Sequence, residues 1–198
     1  MDRNQDGVAI EINFNSMQVL YTDLTEFEAI PWCAELLQGP GIVVNLREYN
    51  PSAEDGFFAK TLRTHDTIRA FLSLYKQEDK SKQIDEVYAL LSLGDGVSGY
   101  PHRAHGGFVA AIIDEVMGIL TSVNKARKSM PDGDIVTASL NIKYQESVAT
   151  PQTVLVSARF RKVENRKYFI DGIVKDQFGT ILATAEALWI QPKPSVKL

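Results

Sequence analysis

Residues 107–122 form a helical run that is apolar almost all the way round, with Phe108, Val109, Ile112, Ile113, Val116, Met117, Ile119 and Leu120 spread over every face. A helix that is hydrophobic on all sides cannot lie on a surface, so other structure must wrap it. The flanking sequence supplies a wrapping. Val87–Leu93 reads as a strand ahead of the helix, and four strand-like runs follow it: Ile135–Tyr144, Thr153–Glu164, Lys167–Lys175 and Ile181–Ile190. The turns between the last four, at Ala149-Thr-Pro151, Asn165-Arg166 and Asp176-Gln-Phe-Gly179, are short and predict antiparallel hairpins. The fold class expected is α+β, a curled antiparallel sheet around one central helix, which is the hotdog architecture.

Residues 1–83 read differently. Prolines at 31, 40 and 51 and glycines at 39, 41 and 56 punctuate a partly helical N-terminal extension that packs on the domain. Thr64–Tyr75 is expected to be a helix, because Ile68, Phe71, Leu72 and Tyr75 fall at i, i+3, i+4 and i+7, with Asp66 or Thr67 as cap. The charge-rich Lys76–Gln83 reads as a solvated linker. The expected domain is residues 84–192, and 193–198 form a tail.

A hydrophobic share of 44% and a charged share of 23% allow a sizeable buried core. The net charge of −4, with no basic stripe of interleaved aromatics, argues against nucleic-acid binding. A single cysteine, Cys33, precludes an intrachain disulfide and fits a reducing compartment. No histidine motif lies near it, so it reads as a buried apolar residue rather than a nucleophile. The polar opening Met1–Gly7 lacks a signal-peptide core, and no membrane span is expected. A cytoplasmic location follows, with the closing Ser195-Val-Lys-Leu198 only a weak likeness of a peroxisomal address.

The chemistry concentrates where the helix begins, at His105-Gly106-Gly107. Two glycines allow close approach of a ligand to the backbone, and the unpaired N–H groups of a helix start can hold a developing oxyanion. Asp114 then interrupts the apolar run. Donors plus a carboxylate suggest hydrolysis of an activated acyl group. Partial burial would raise Asp114 toward a useful base. Glu115 points about 100° away around the helix, so one site cannot use both acids. The seven residues from Gly107 to Asp114 span about 10.5 Å of helix, too far for both to act on one carbonyl. The distance favours a homodimer with a composite site. Three histidines without acid or cysteine partners at ligand spacing argue against zinc, and no metal or cofactor is expected.

These residues resemble the hotdog thioesterase superfamily, in particular a fungal branch of the PaaI-like acyl-CoA thioesterases. The likeness spans roughly residues 28–190. It rests on His105-Gly-Gly with Asp114 nine positions on, on Thr137-Ala-Ser-Leu-Asn-Ile-Lys-Tyr144, and on Ile30-Pro-Trp-Cys33 and Asp66-Thr-Ile-Arg-Ala-Phe71 upstream. The resemblance implies that Gly106 or Gly107 donates to the thioester carbonyl and that Asp114 is base or nucleophile. It implies further that Thr137 orients water and His105 shapes the oxyanion loop. Two departures stand out: Gly99-Tyr-Pro-His-Arg103 replaces Gly-Tyr-Pro-Gly, and Gly99 stands where some relatives carry Asn. His102 and Arg103 thereby join Glu115 as candidate substrate contacts. The function expected is hydrolysis of an acyl thioester of coenzyme A or of a carrier protein by a homodimer, or by a tetramer built from it. The alternatives are a fungal secondary-metabolite enzyme of the same fold that cyclises, dehydrates or decarboxylates, and a non-catalytic acyl-binding protein.

Overall fold

Residues 22–45, 56–77 and 83–193 are described by the computed structural model of the chain. In chain order they form helix α1 (residues 22–28), α2 (Pro31–Leu37), β1 (Ile42–Asn45), a π-helical turn (Phe57–Thr61), β2 (Ile68–Lys76) and β3 (Glu86–Leu93). A 3-10 turn (Asp95–Val97) and the small hairpin of β4 (Ser98–Tyr100) and β5 (Arg103–Ala104) lead into α3 (Gly106–Ala126). Then come β6 (Val136–Tyr144), β7 (Gln152–Glu164), β8 (Lys167–Lys175) and β9 (Ile181–Ile190). The large sheet is antiparallel, in the order β1-β2-β3-β7-β8-β9-β6. Its inner face holds α3, whose Ile112, Ile113, Val116, Met117 and Leu120 are fully buried. This is the hotdog arrangement. Gly172 of β8 lets the sheet close on the helix, since a Cβ there would lie 2.8 Å from Met117 and 2.9 Å from Ile113.

Four expectations need correction. Residues 68–75 of the segment expected as a helix lie in strand β2, which is buried on both faces: Ala70, Leu72 and Leu74 face outward, while Phe71 and Tyr75 pack against the core around α3. A strand covered on both sides is a continuous apolar run, and such a run matches helical spacing by chance. Thr64 accepts from the N–H groups of Asp66 and Thr67, closing a turn instead of starting a helix. Secondly, β6 and β7 do not form a hairpin. β6 crosses to the far edge and pairs with β9, while β7 pairs with β3. Thirdly, the sheet begins before residue 84, because β1 and β2 belong to it. Finally, α3 is by length and composition apolar enough to cross a bilayer, contrary to the expectation of no such window; in this fold it is the helix the sheet wraps. The terminal segments 1–21 and 194–198 and most of the charged linker lie outside the described residues.

The outer face of β1–β3 carries a second core. Phe27 of α1 and Cys33 of α2 are fully buried against Ala70, Leu72, Leu74 and Leu90. Burying a phenylalanine of this kind is worth roughly 1.5–3 kcal/mol. The buried Asp23 ties α1 to the sheet, accepting from the Arg63 guanidinium and from the Phe71 N–H.

At the far end of α3, the fully buried Asn124 joins helix to sheet. Its Oδ1 accepts from the Ile84 N–H and the Ser129 hydroxyl, and its Nδ2 donates to the Ile84 and Leu120 carbonyls. Asn124→Ala would leave the Ile84 amide groups buried without partners. The expected loss is about 3 kcal/mol, roughly 6–12 °C in Tm, and thermal unfolding would measure it.

Candidate active site

Two clusters of sequence-predicted residues emerge, separated along α3. The first lies at its N-terminus. His105 is the N-cap, in extended conformation, and its Nδ1 accepts from the Gly107 N–H at 2.9 Å. The acceptor role puts the proton of a neutral ring on Nε2. The Gly107 donor is therefore already engaged, and the Gly106 N–H is the one without a partner among the described residues. The backbone N–H of His105 donates to Val97, and the ring lies over Gly99. A Cβ at position 99 would come within 2.9 Å of the imidazole, so the departure at Gly99 is a steric requirement of this loop.

Tyr144, at the end of β6, was assigned no role by the sequence argument. Its hydroxyl donates to the Gly106 carbonyl at 2.9 Å, from 38 residues away. Only the folding of β6 against the helix start creates that contact.

The second cluster is Asp114 with Thr137. The Thr137 hydroxyl donates to Asp114 Oδ1 at 2.8 Å. Thr137 reaches the helix because β6 carries a bulge. Leu140 opposes Ala187 and faces inward, so strict alternation would turn Thr137 outward. Thr137 pairs with Trp189 and Ser139 with Leu188, which leaves Ala138 as an extra residue and returns Thr137 to the inner face. Burial pushes the Asp114 carboxyl above its ordinary value, and the Thr137 hydrogen bond partly opposes that shift. An acid so held suits proton abstraction from water near neutral pH.

The remaining candidates lie on the hairpin before α3 and on α3 itself. His102 is exposed in a left-handed turn, 3.7 Å from Asp95, and Arg103 is exposed on β5. Glu115 is half-buried on the next position of the helix. Cys33 is buried in the outer core and its thiol is pushed up to about 12, which rules out a thiolate nucleophile there. Among the described residues no group of three or more His, Cys, Asp or Glu converges as metal ligands would.

Within one protomer the helix keeps the clusters apart. Gly106 and Asp114 are eight residues apart on a continuous α3, about 12 Å of rise. β6, the strand that carries Thr137 and Tyr144, is nine residues long and lies at the sheet edge, with its outer side unpaired among the described residues.

Comparison with known proteins adds the following. Residues 102–183 match the family model of the thioesterase superfamily. Verlamelin biosynthesis protein B of a Lecanicillium species is 26% identical over 176 aligned positions, covering 71% of this chain and 75% of that protein. Acyl-coenzyme A thioesterase THEM4 of Rattus norvegicus is 29% identical, covering 60% of this chain and 48% of that protein. The chain thus spans about half the length of the THEM4 relatives it matches. Among solved structures, a mutant hypothetical thioesterase protein from Streptococcus pneumoniae superposes with a TM-score of 0.51 at 14% identity, over 66% of this chain and 100% of that one, a likeness of fold.

Proposed function

Because the segment 102–183 belongs to the thioesterase superfamily, we propose that the chain hydrolyses an acyl thioester to a free acid and a thiol. The observation that carries this reading is the pair Asp114–Thr137, a half-buried carboxylate held by a hydroxyl at 2.8 Å on the inner face of the sheet. In the proposed reaction Asp114 takes a proton from water, or attacks the carbonyl carbon itself. Thr137 holds the carboxylate and its water in line. The Gly106 N–H meets the carbonyl oxygen as it gains charge. Because one helix holds Gly106 and Asp114 about 12 Å apart, the donor and the base that serve one carbonyl come from two protomers. Docking of two β6 edges would bring them together and give the unpaired strand a partner.

The thiol is that of coenzyme A or of a carrier's pantetheine arm. A biosynthetic substrate is favoured by one observation. The match to Verlamelin biosynthesis protein B runs over 71% of this chain and 75% of that protein, whereas the rat THEM4 match covers 60% and 48%. Thiol release from a panel of acyl-CoA and acyl-pantetheine substrates tests the proposal. Release from neither class at any chain length would overturn it in favour of another reaction on this fold.

Thr137→Val tests the role of the hydroxyl. The hydrogen bond favours the ionised carboxylate, so its loss raises the Asp114 pKa further. The acidic limb of the kcat/KM profile is expected to move to higher pH, with kcat on the plateau reduced by about tenfold. An unmoved limb would show that Thr137 does not contact the working acid.

A further inference from the structure

The inner face of β9 is lined by Ala183, Ala185 and Ala187, and ends in one large side chain, Trp189. Its ring reaches across to α3. A Cβ on Gly118 would lie 3.3 Å from Cη2 and 3.9 Å from Cζ3 of the indole, so the glycine is what admits the ring. Gly118 stands one helical turn after Asp114, on the same face. Trp189 is also the register partner of Thr137. It therefore lies opposite Thr137 on the sheet and against the helix one turn beyond Asp114. It is 7% exposed, and its Nε1 is buried without a hydrogen-bond partner among the described residues. Buried donors are nearly always paired, and an orphan of this kind calls for an acceptor that the described residues do not supply.

We propose that Trp189 is a specificity-determining residue whose indole N–H receives an oxygen carried by the acyl chain, so that the preferred substrate is a hydroxy- or oxo-acyl thioester. The proposal rests on the thioesterase reading and names its substrate class. Asp114 sits at the thioester carbon, and four residues of helix separate it from Gly118, about 6 Å of rise. The indole thus lies beside the stretch of chain that follows the thioester, and an oxygen on one of carbons 3 to 5 is the candidate partner of Nε1. A site built to bond such an oxygen discriminates against the chain that lacks it, because the donor is then left unpaired. A plain alkyl chain would leave Nε1 as it is in the free protein.

The test compares octanoyl-CoA with its 3-oxo and its 3-, 4- and 5-hydroxy derivatives, on the full chain and on Trp189→Phe. Phenylalanine keeps an aromatic ring and removes the N–H. For the wild type, kcat/KM for at least one oxygenated chain is expected to exceed that for octanoyl-CoA by about tenfold, the worth of one buried hydrogen bond. In Trp189→Phe that ratio should fall close to one. A merely structural tryptophan would change all the substrates together. No preference in the wild type, or a preference that survives in Trp189→Phe, overturns the proposal. Trp32 and Trp189 are the only tryptophans of the chain, so Trp32→Phe makes Trp189 the sole emitter. Should no thioester be cleaved, the hydrolysis reading falls, and titration of that emission with hydroxyoctanoates against octanoate decides the inference separately. Tighter binding of a hydroxy acid supports it, and equal dissociation constants overturn it.

Discussion

Asp114→Asn is expected to lower kcat by about 10²–10⁴-fold, the range associated with loss of a general base, and to make the folded protein more stable at the same time. The two effects have one cause. Burial raises the folded-state pKa of Asp114, so the ionised carboxylate required for catalysis is disfavoured by the fold around it. The direction of the pH dependence follows. Between the ordinary aspartate value and the raised one, the folded protein binds more protons than the unfolded chain, so stability falls as pH rises through that window. Above the window the penalty is fully present, and below it the penalty vanishes. Asparagine carries no charge and keeps an oxygen that can accept from Thr137. Tm should therefore rise by about 1–3 °C at pH 7 and match the wild type in acid. Thermal unfolding of both proteins at two pH values, beside kcat, measures it. A variant that is inactive but also less stable at neutral pH would mean that Asp114 supports the structure. The wild-type rate itself should fall in acid at a pH above the ordinary aspartate range, since the base must be ionised.

The second large effect concerns the oxyanion donor. Gly106 is the first residue of α3, where proline is well tolerated, and the preceding His105 has φ −65° and ψ 135°, the region that a residue before proline prefers. Gly106→Pro thus deletes one N–H and little else. The expected loss is about 10²–10³ in kcat. Mixing this variant with Asp114→Asn, after unfolding and refolding together, then tests the composite site. Hybrid dimers would own one site with both Gly106 and Asp114 intact. With half of the dimers hybrid, about a quarter of the wild-type activity should return from two inactive preparations. No recovery from a mixture shown to contain hybrids would place donor and base in a single protomer, against the spacing along α3.

The helix, its sheet and the helix start at Gly106-Gly107 could be read from the sequence because each leaves a local mark: an apolar run with no polar side, alternating strands and a glycine pair. The approach of Thr137 to Asp114 was inferred through family likeness and is a non-local contact, 23 residues apart. β2 escaped because its two covered faces erase the alternation that marks a half-exposed strand. The crossing of β6 to the far edge escaped because the turn at Ala149–Pro151 indicates that the chain reverses, not which neighbour it meets. Tyr144 and Trp189 escaped for a related reason. Their relevance is set by register, through Gly106 for one and Thr137 and Gly118 for the other.

The extra residue in β6 bears on how such a pair can be recognised elsewhere. Ala138 occupies no rung of the ladder, so its removal would leave Thr137 opposite Trp189 and Ser139 opposite Leu188. The hydroxyl keeps its aim whether the strand has that residue or lacks it. The interval in sequence between the acid and the hydroxyl is therefore elastic, although the interval in space is not. Counting back from Leu140 in a relative with a regular strand would select the wrong residue as the equivalent of Thr137. Two anchors, one on each side of the bulge, are needed to align this strand, and a single gap there is a sign of preserved geometry.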